Sequence, residues 1–232
     1  MLLRGLILVA LLAPGATAAR MPWWHWLGRS VAGRPLRALE LDGGAPRTRV
    51  LVFGCIHGTE CAGTAVVDEL ARAPQRGIDL WLVRNLNPDG SAAGTRTNAH
   101  GVDLNRNFAS EWRSGLRGLE FPGPRPFSEP ESLAARDLIR RIHPQLTIWF
   151  HQPQDLVRAW GSSIPAARAY ARAAGLRFRA IRWPHGSAPN WQNHRFPGCA
   201  AFVVELAPGR LAPTAARRLA RAVAVSSRAA RC

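Results

Sequence analysis

Short apolar runs alternate with segments of helical periodicity along most of the chain. Such runs predict buried strands, and apolar positions repeated every three or four residues predict helices. The predicted strands cover residues 35–41, 50–56, 78–83, 146–150 and 200–204, and the predicted helices cover residues 60–72, 131–142, 166–174 and 214–225. Strands that alternate with helices favour an α/β fold of a single domain, with a mostly parallel sheet covered on both faces.

Two long segments lack this periodicity and are predicted to be irregular. They cover residues 85–126 and 183–198, and the first is rich in glycine, proline, asparagine and arginine. A loop of that length inside a compact domain is usually functional. We therefore expect the first segment to contribute side chains to a site.

Local signals define the ends of two predicted elements. Ser128 and Glu131 match the S-x-x-E capping box, which predicts the start of the helix 131–142. Residues 35–41 are expected to form an edge strand. Three tryptophans that precede this strand are expected to pack across the surface: Trp23, Trp24 and Trp26.

The first 18 residues have the pattern of a secretory signal peptide. A charged start at residues 1–4 is followed by an apolar run at 5–13 and by the small residues 16–18. The run is too short for a membrane span, which needs roughly 20 apolar residues. We therefore expect cleavage after Ala18 and export to the periplasm or the exterior, leaving one domain of residues 19–232.

The chain is strongly basic, with a formal net charge of +16, and all 31 of its basic residues are arginine. Such an excess can attract a polyanion. However, the arginines are scattered along the chain, and no RNA- or DNA-binding motif is visible. We therefore expect at most a loose attraction to the anionic cell envelope, and no nucleic-acid partner.

Side chains suited to chemistry follow three of the predicted strands. His57, His151 and Glu205 stand at these strand ends, and Glu60 lies in the H-G-T-E turn. Carboxyl ends of neighbouring parallel strands meet at one edge of a sheet, where ligands bind. Two histidines and a carboxylate are a donor set of catalytic zinc that leaves one position for water. The pattern therefore predicts one zinc ion, with Glu205 available as a general base.

The stretch GTRTNAHGVDLNRNF in the long loop supplies further polar groups. Asn105 and Arg106 together could clamp a substrate carboxylate. Arg96 could face a developing oxyanion, and Asp103 could accept the free N–H of His57. Two other arginines compete for the oxyanion role: Arg84 and Arg113.

The motifs HGTE, NPDG, VDLNRNF, FSEPES and VVELAPG follow one another in this order between residues 50 and 209. This series resembles the zinc carboxypeptidase family, and within it the small bacterial murein-peptide amidases. The resemblance implies a catalytic domain of residues 19–232 that contains a mixed sheet of about eight strands. That number of strands is near the usual range for sheets. It also implies the following roles: zinc ligands His57, Glu60 and His151, a carboxylate clamp of Asn105 and Arg106, oxyanion arginine Arg96, and general base Glu205.

Many digestive members of this family use a mobile tyrosine near the terminal group of the substrate. The only tyrosine of this chain is Tyr170, which lies in a predicted helix rich in alanine and arginine. The place of the family's tyrosine could fall to Trp183, to His185 or to no residue. Trp183 and Trp191 are also candidates for the wall of a pocket.

The resemblance favours an exported zinc metallocarboxypeptidase or amidase that hydrolyses an amide next to a free carboxylate. The expected substrate is a small peptide or murein peptide, with the γ-D-glutamyl–diaminopimelate bond of peptidoglycan as the target. Two alternatives stay open. One is an aspartoacylase-like N-acyl amino acid deacylase, which shares H-x-x-E and D-L-N-R-x-F, and the other is a catalytically inactive wall-binding relative.

Four cysteines in a chain expected to be exported indicate disulfide bridges, and three pairings are possible. Cys199 precedes Glu205 by six residues, or roughly 20 Å at about 3.3 Å per residue, so it lies at the far end of that strand. The terminal helix runs back over a similar distance. It should therefore return Cys232 to the end where Cys199 lies, which favours a Cys199–Cys232 bridge.

The other two cysteines flank the H-G-T-E turn and must both stay near the metal. This favours a Cys55–Cys61 bridge, which would brace the turn. A competing hypothesis makes the Cys55 thiolate a further zinc ligand, because Cys55 and His57 share a strand face.

Overall fold

The structure, a computed structural model, describes residues 22–44, 48–73, 75–230 and 232. The signal peptide predicted at residues 1–18 lies outside these residues. Within the described ranges, no helix has the length and apolar character that a membrane crossing requires.

Strands and helices alternate along the described chain, as predicted. The strands are β1 (Trp23–Arg29), β2 (Pro35–Asp42), β3 (Thr48–Phe53), β4 (Ile78–Val83), β5 (Leu146–His151), β6 (Leu156–Ala159), β7 (Arg177–Ala180) and β8 (Ala200–Glu205). The helices are α1 (Gly63–Arg72), α2 (Pro88–Ala93), α3 (Pro130–Ile142), α4 (Ile164–Ala174), α5 (Ala188–Arg195) and α6 (Pro213–Ser227). Short 3₁₀ turns cover Leu104–Arg106, Gly118–Glu120 and Gly161–Ser163.

All eight strands belong to one mixed sheet, in the order β1-β2-β4-β3-β5-β8-β6-β7. The central strands β4, β3, β5 and β8 run parallel to one another. Antiparallel pairs flank this centre, because β2 pairs with β1 and β4, and β6 pairs with β8. The prediction of an α/β domain with a mixed, mostly parallel sheet of about eight strands is confirmed.

The prediction that residues 35–41 form an edge strand is wrong. That segment is β2, which pairs on one side with β1 and on the other with β4. The edge is β1 itself, whose tryptophans Trp23, Trp24 and Trp26 are more than half exposed. His25 and Gly28 interrupt the apolar residues of β1, so the sequence has no continuous apolar run that would have indicated this strand.

Both segments predicted to be irregular contain a helix. Residues 85–126 include α2, and residues 183–198 include α5. The α5 sequence lacks an amphipathic pattern because its polar side chains are buried: Gln192, for example, donates a 2.7 Å hydrogen bond to Thr147 Oγ1. Strands β6 and β7 were also not predicted, because each has four residues and contains arginine.

The predicted helix 131–142 is present, but the capping box is not. Helix α3 begins at Pro130 after Glu129, and no side chain caps its first turn. Ser128 Oγ instead donates to Glu129 Oε1 at 2.6 Å. Glu131 is buried and accepts hydrogen bonds from Val31 N and Asn98 Nδ2, so tertiary partners replace the local ones.

The core supports the strand ends at the centre of the sheet. Trp149 of β5 is fully buried and stacks on Phe53 of β3 with ring centroids 3.8 Å apart. Phe108 meets Trp149 edge-on at 6.1 Å. Because Trp149 and His151 are two residues apart, they share a face of β5, and this packing holds the strand that presents His151.

Candidate active site

Three neighbouring parallel strands present polar side chains at one edge of the sheet. Strand β5 lies between β3 and β8, and His151 at its end pairs in register with Glu205. His57 follows the end of β3 by four residues. The prediction that these strands are parallel neighbours is confirmed, and their carboxyl ends bring the three side chains together.

The H-G-T-E turn packs directly against the N-P-D-G segment. A Cβ atom on Gly58 would lie 2.0 Å from the carbonyl carbon of Gly90, so only glycine fits there. Glu60 N donates to His57 O at 2.9 Å, which closes the turn. The close backbone contact therefore places His57 and Glu60 side by side above the strand end.

His57, Glu60 and His151 can together hold a metal ion. One ligand atom from each residue lies within 4.8 Å of the other two. Both histidine Nδ1 atoms face the same carboxylate oxygen, Glu60 Oε2, at 2.9 Å from His57 and 3.1 Å from His151. Two imidazole nitrogens and one carboxylate oxygen match the donor set of a catalytic zinc site with an open position.

Asp103 orients the first of these histidines. It is fully buried, and its Oδ1 lies 3.0 Å from His57 Nε2. A proton on Nε2 leaves the Nδ1 lone pair free to bind a metal, and such a carboxylate partner makes the imidazole a stronger ligand. The position of Asp103 is therefore the one that the sequence analysis expected.

Arg96 bridges the two carboxylates. Its guanidinium lies 2.5 Å from Glu60 Oε1 and 3.1 Å from Asp103 Oδ2. The competing arginines lie elsewhere: Arg84 pairs with Asp68 at the surface, and Arg113 is exposed outside the cavity. Arg96 is thus the cation that lies beside the ligand cluster.

The charges of the cluster shift the pKa values of its members. Burial alone would raise the pKa of Glu60, but the hydrogen bonds and charges of His151 and His57 hold it well below its usual range. Burial would also raise the pKa of Asp103, and His57 and Arg96 lower it. Both carboxylates are therefore ionised acceptors at neutral pH.

The two histidines differ in their pKa values. Burial lowers both, but at His57 the neighbouring Asp103 and Glu60 outweigh burial and raise the pKa above its usual value. At His151, burial and the charges of His57 and Arg96 lower the pKa to about 4, against the opposing effect of Glu60. His151 is therefore neutral at pH 7, the form that binds metals.

Glu205 faces the cluster from the next strand. It is 6% exposed, and its Oε2 has no hydrogen-bond partner among the described residues. Burial first, and then the charge of Glu60, raise its pKa. A carboxylate with a raised pKa and a free oxygen is suited to take and return a proton.

Asn105 and Arg106 lie on the 3₁₀ turn that follows Asp103. Asn105 is buried, and its Oδ1 accepts a hydrogen bond from Ala188 N at 2.9 Å. The guanidinium of Arg106 contacts Glu120 at 2.6 Å at the surface side. Both side chains line the cavity that also contains the ligand cluster.

The cavity has a volume of about 240 Å³ and brings together seven of the predicted site residues. These are His57, Glu60, Arg96, Asn105, Arg106, His151 and Glu205. Asp103 lies behind His57 rather than on the wall. All eight residues singled out from sequence for the site are therefore in one place.

The cavity wall also contains residues to which the sequence analysis gave no role. Gln152 accepts from Ala62 N at 3.0 Å and donates to Ala207 O at 2.8 Å, so it ties the ends of two strands to α1. Arg158 belongs to β6, whose short sequence did not indicate a strand. Gln152 could have been noticed because it directly follows the predicted ligand His151, whereas no local signal indicated Arg158.

Of the aromatic candidates, Trp183 lines the cavity and Trp191 does not. Trp191 packs against Phe108 with ring centroids 5.7 Å apart. Tyr170 is fully buried, and its hydroxyl donates to Leu219 O of α6 at 3.0 Å. Tyr170 therefore takes no part in the site, and Trp183 is the aromatic ring on its wall.

Both predicted disulfide bridges are present. Cys55 is bonded to Cys61 beside the H-G-T-E turn, and Cys199 is bonded to Cys232. The competing hypothesis of Cys55 as a zinc ligand is wrong, because its sulfur is committed to the bridge. The first bridge connects the approach to His57 with the start of α1, and the second connects the approach to β8 with the end of the chain.

Comparison with known proteins gives four concordant findings. A family model described as zinc carboxypeptidase matches residues 24–174. Murein peptide amidase A of Escherichia coli strain K12 is 34% identical over 146 residues, which span 57% of this chain and 60% of that relative. The protein of the same name from Vibrio campbellii is 30% identical over 202 residues, 78% of each chain. The crystal structure of murein-tripeptide amidase MpaA from Escherichia coli O157 superposes with a TM-score of 0.73 at 27% identity, covering 90% of this chain and 94% of the other.

Proposed function

The chain belongs to the zinc carboxypeptidase family and is a zinc peptidase or amidase, and we propose that its substrates are peptides derived from the bacterial cell wall. The target that we propose is the γ-D-glutamyl–diaminopimelate bond, an amide next to a free carboxylate. The relatives named murein peptide amidase A support the substrate class. One of them matches this chain over 78% of both lengths.

One observation carries this proposal. The three donor atoms of His57, Glu60 and His151 converge, while Glu205 stands beside His151 on the paired strand and lines the same cavity. A zinc ion held by these donors supplies a Lewis acid that polarises the substrate carbonyl and lowers the pKa of water. One zinc ion per chain satisfies the donor set.

Glu205 moves the proton in the proposed reaction. Its unpartnered Oε2 takes a proton from the attacking water, and the resulting hydroxyl oxygen forms the new bond to the amide carbon. The C–N bond then breaks, and Glu205 returns the proton to the leaving amine. The products are a carboxylic acid and an amine, and the enzyme is unchanged.

The cationic groups orient the substrate. We assign its free carboxylate to Asn105 and Arg106, which line the cavity wall and offer an amide and a guanidinium side by side. Arg96 places positive charge beside Glu60, where the amide oxygen becomes negative during attack. Charge at both positions favours a substrate with a terminal carboxylate over an internal peptide.

Export is also part of the proposal. We propose that residues 1–18 are removed and that residues 19–232 act in the periplasm or outside the cell. The two disulfides support this, because such bridges persist in oxidising compartments. The net charge of +16 supports a loose attraction to the anionic envelope that contains the substrate.

Metal analysis and a substrate panel test the proposal together. We expect one equivalent of zinc in the purified protein, and well below one in His57→Ala and in His151→Ala. The matched control is His194→Ala, because His194 is exposed and does not line this cavity. Zinc at one equivalent in both ligand variants would contradict the site.

The same preparations are then assayed on L-alanyl-γ-D-glutamyl-diaminopimelate and on ordinary dipeptides with a free C-terminus. Faster release of diaminopimelate than of common amino acids supports the proposed bond. Activity on the dipeptides alone would keep the zinc peptidase assignment and reject the cell-wall substrate. Separate incubation with N-acyl amino acids checks the deacylase alternative.

A further inference from the structure

Arg158 projects into the active-site cavity from the strand next to the general base. It pairs with Val203 of β8 in antiparallel register, and Val203 lies two residues before Glu205. Residues two apart on a strand, and residues paired across strands, point to the same face. Arg158 therefore shares a face of the sheet with Glu205, and it lines the same cavity.

The guanidinium of Arg158 forms no salt bridge with the described residues, and the charge of Glu205 acts on it only from a longer distance. Its Nε is buried without a hydrogen bond to any of those residues. The ring centroid of Trp183 lies 6.0 Å from its guanidinium carbon. Burial lowers the pKa of Arg158 against the opposing charge of Glu205, which reflects the cost of a cation partly removed from water.

The other arginines of the cavity differ in this respect. Arg96 pairs with Glu60 and Asp103, and Arg106 pairs with Glu120. Structural arginines are normally paired when they are buried, and a buried cation without a partner is costly. Arg158 is thus the cavity arginine that forms no salt bridge with the described residues and whose buried Nε has no hydrogen bond.

The charges on the cavity wall lead to the same conclusion. Three arginines line the cavity, and two of them have carboxylate partners within 4 Å: Arg96 with Glu60 and Asp103, and Arg106 with Glu120. A bound zinc ion would add further positive charge. A substrate carboxylate on Arg106 leaves the guanidinium of Arg158 without a salt bridge, so the site can accept a second anionic group of the substrate.

We propose that Arg158 binds a carboxylate on the side chain of the substrate's C-terminal residue, and so selects substrates that end in a dicarboxylic amino acid. The inference rests on the proposed function for the identity of the residue that occupies the cavity. Val203 and Glu205 are separated by roughly 7 Å along their strand, at about 3.3 Å per residue. An acidic side chain of several carbons spans such a distance from the scissile bond. Diaminopimelate, glutamate and aspartate share the required chemistry.

The test compares γ-D-glutamyl peptides that end in glutamate, glutamine, lysine or diaminopimelate. The comparison of glutamate with glutamine isolates the charge, because the two side chains have the same shape. We expect kcat/KM of the wild type to favour glutamate by roughly 10- to 100-fold, the value of a charge-assisted hydrogen bond. Comparison of kcat/KM between the peptides that end in diaminopimelate and in glutamate shows which dicarboxylic residue the site prefers.

Variants of Arg158 should change this ratio specifically. Arg158→Gln should bring the glutamate-to-glutamine ratio close to one, and Arg158→Glu should invert the preference between glutamate and lysine. Arg172→Gln is the matched control, because this substitution removes the same charge at an exposed position of α4. A purely structural role of Arg158 would lower activity on all four peptides equally and would leave the ratios unchanged.

Failure of this inference can be distinguished from failure of the proposed function. Calorimetric binding of free glutamate and glutamine to the zinc-loaded wild type and Arg158→Gln proteins needs no hydrolysis. Arg158-dependent preference for glutamate without hydrolysis of any peptide keeps the inference and rejects the reaction. Hydrolysis with equal rates for glutamate and glutamine in the wild type overturns the inference, and this comparison does not depend on whether a variant folds.

Discussion

Glu205 combines burial, a raised pKa and a carboxylate oxygen without a hydrogen-bond partner at the end of β8. A glutamine there keeps the shape and the hydrogen-bonding capacity but cannot take a proton. Glu205→Gln should therefore retain zinc and fold, and should lose hydrolysis by roughly 10²- to 10⁴-fold. Zinc content, circular dichroism and kcat measure the three properties. Near-wild-type turnover would show that another group is the base.

Arg106 is the residue that should distinguish a free carboxylate from its amide. Arg106→Ala removes a charge-assisted hydrogen bond of roughly 1.5–3 kcal/mol, so kcat/KM for a free acid should fall by about 10- to 100-fold. The amidated form of the same peptide should lose little. Arg113→Ala, at an exposed position, is the control for general effects of charge. Equal losses on acid and amide would contradict the clamp.

At the scale of elements, the N-P-D-G segment forms the start of α2 and connects this helix to the hairpin of β1 and β2. Asp89 is buried at the start of α2 and accepts hydrogen bonds from Ser30 Oγ, Ala32 N and Arg34, each at 2.8 Å. Burial would raise its pKa, but these partners outweigh burial and lower it. The ionised carboxylate of Asp89 thus ties the connection between β1 and β2 to the start of α2.

This contact predicts a pH-dependent loss of stability. A lowered folded-state pKa means that the contribution of Asp89 is present above its unfolded pKa of about 3.9 and is lost as pH falls through the folded value. Asp89→Asn should lower the free energy of unfolding at pH 7 by roughly 1–3 kcal/mol. The difference from wild type should shrink below about pH 4.

Urea unfolding at several pH values measures this difference. Asp137→Asn is the control, because Asp137 is 62% exposed. If the difference in the free energy of unfolding between wild type and Asp89→Asn is the same at pH 7 and pH 3, the effect of the substitution is due to side-chain shape rather than charge.

The bridge between Cys199 and Cys232 joins the approach to β8 to the chain end beyond α6, across a sequence separation of 33. Closing a loop of that length restricts the unfolded chain, which stabilises the fold by roughly 3–4 kcal/mol. The double variant Cys199→Ser, Cys232→Ser should therefore unfold at lower urea concentration and keep its zinc, because both residues are remote from the ligands. Loss of zinc in this variant would show that the terminal helix supports the site directly.

At the scale of the whole molecule, metal binding and folding should be linked. The ligands come from the turn after β3 and from the end of β5, so the donor set is complete only when the sheet is assembled. Free zinc at about 100 times its dissociation constant adds about 2.7 kcal/mol to stability. For a chain of this size, that corresponds to a shift in Tm of roughly 5–10 °C.

Chelation is the simplest test of this linkage. A chelator should lower the Tm of the wild type, and readdition of zinc should restore it. The Tm of His57→Ala should be insensitive to both treatments, because that variant lacks a ligand. An identical response of wild type and variant would mean that zinc stabilises the fold at another place.

The sequence by itself determined the central strands and the chemistry at their ends. Strands β3, β4, β5 and β8 are apolar runs buried on both faces, so their pattern is strong and local. His151 and Glu205 end two of these strands and His57 follows the end of β3 by four residues, and parallel strands place their carboxyl ends at one edge. The ligand cluster could therefore be located before any distance was known.

Only the tertiary structure decided which elements border that centre. Strand β1 is half exposed and shifted in register, β6 and β7 are short, and the polar residues of α5 are satisfied by partners distant in sequence. None of these features leaves a local periodic signal. The position of Arg158 opposite Val203 depends on the pairing of β6 with β8. Pairing between segments far apart in sequence is set by packing and hydrogen bonds across the fold, and for that reason the chain's own pattern could not reveal it.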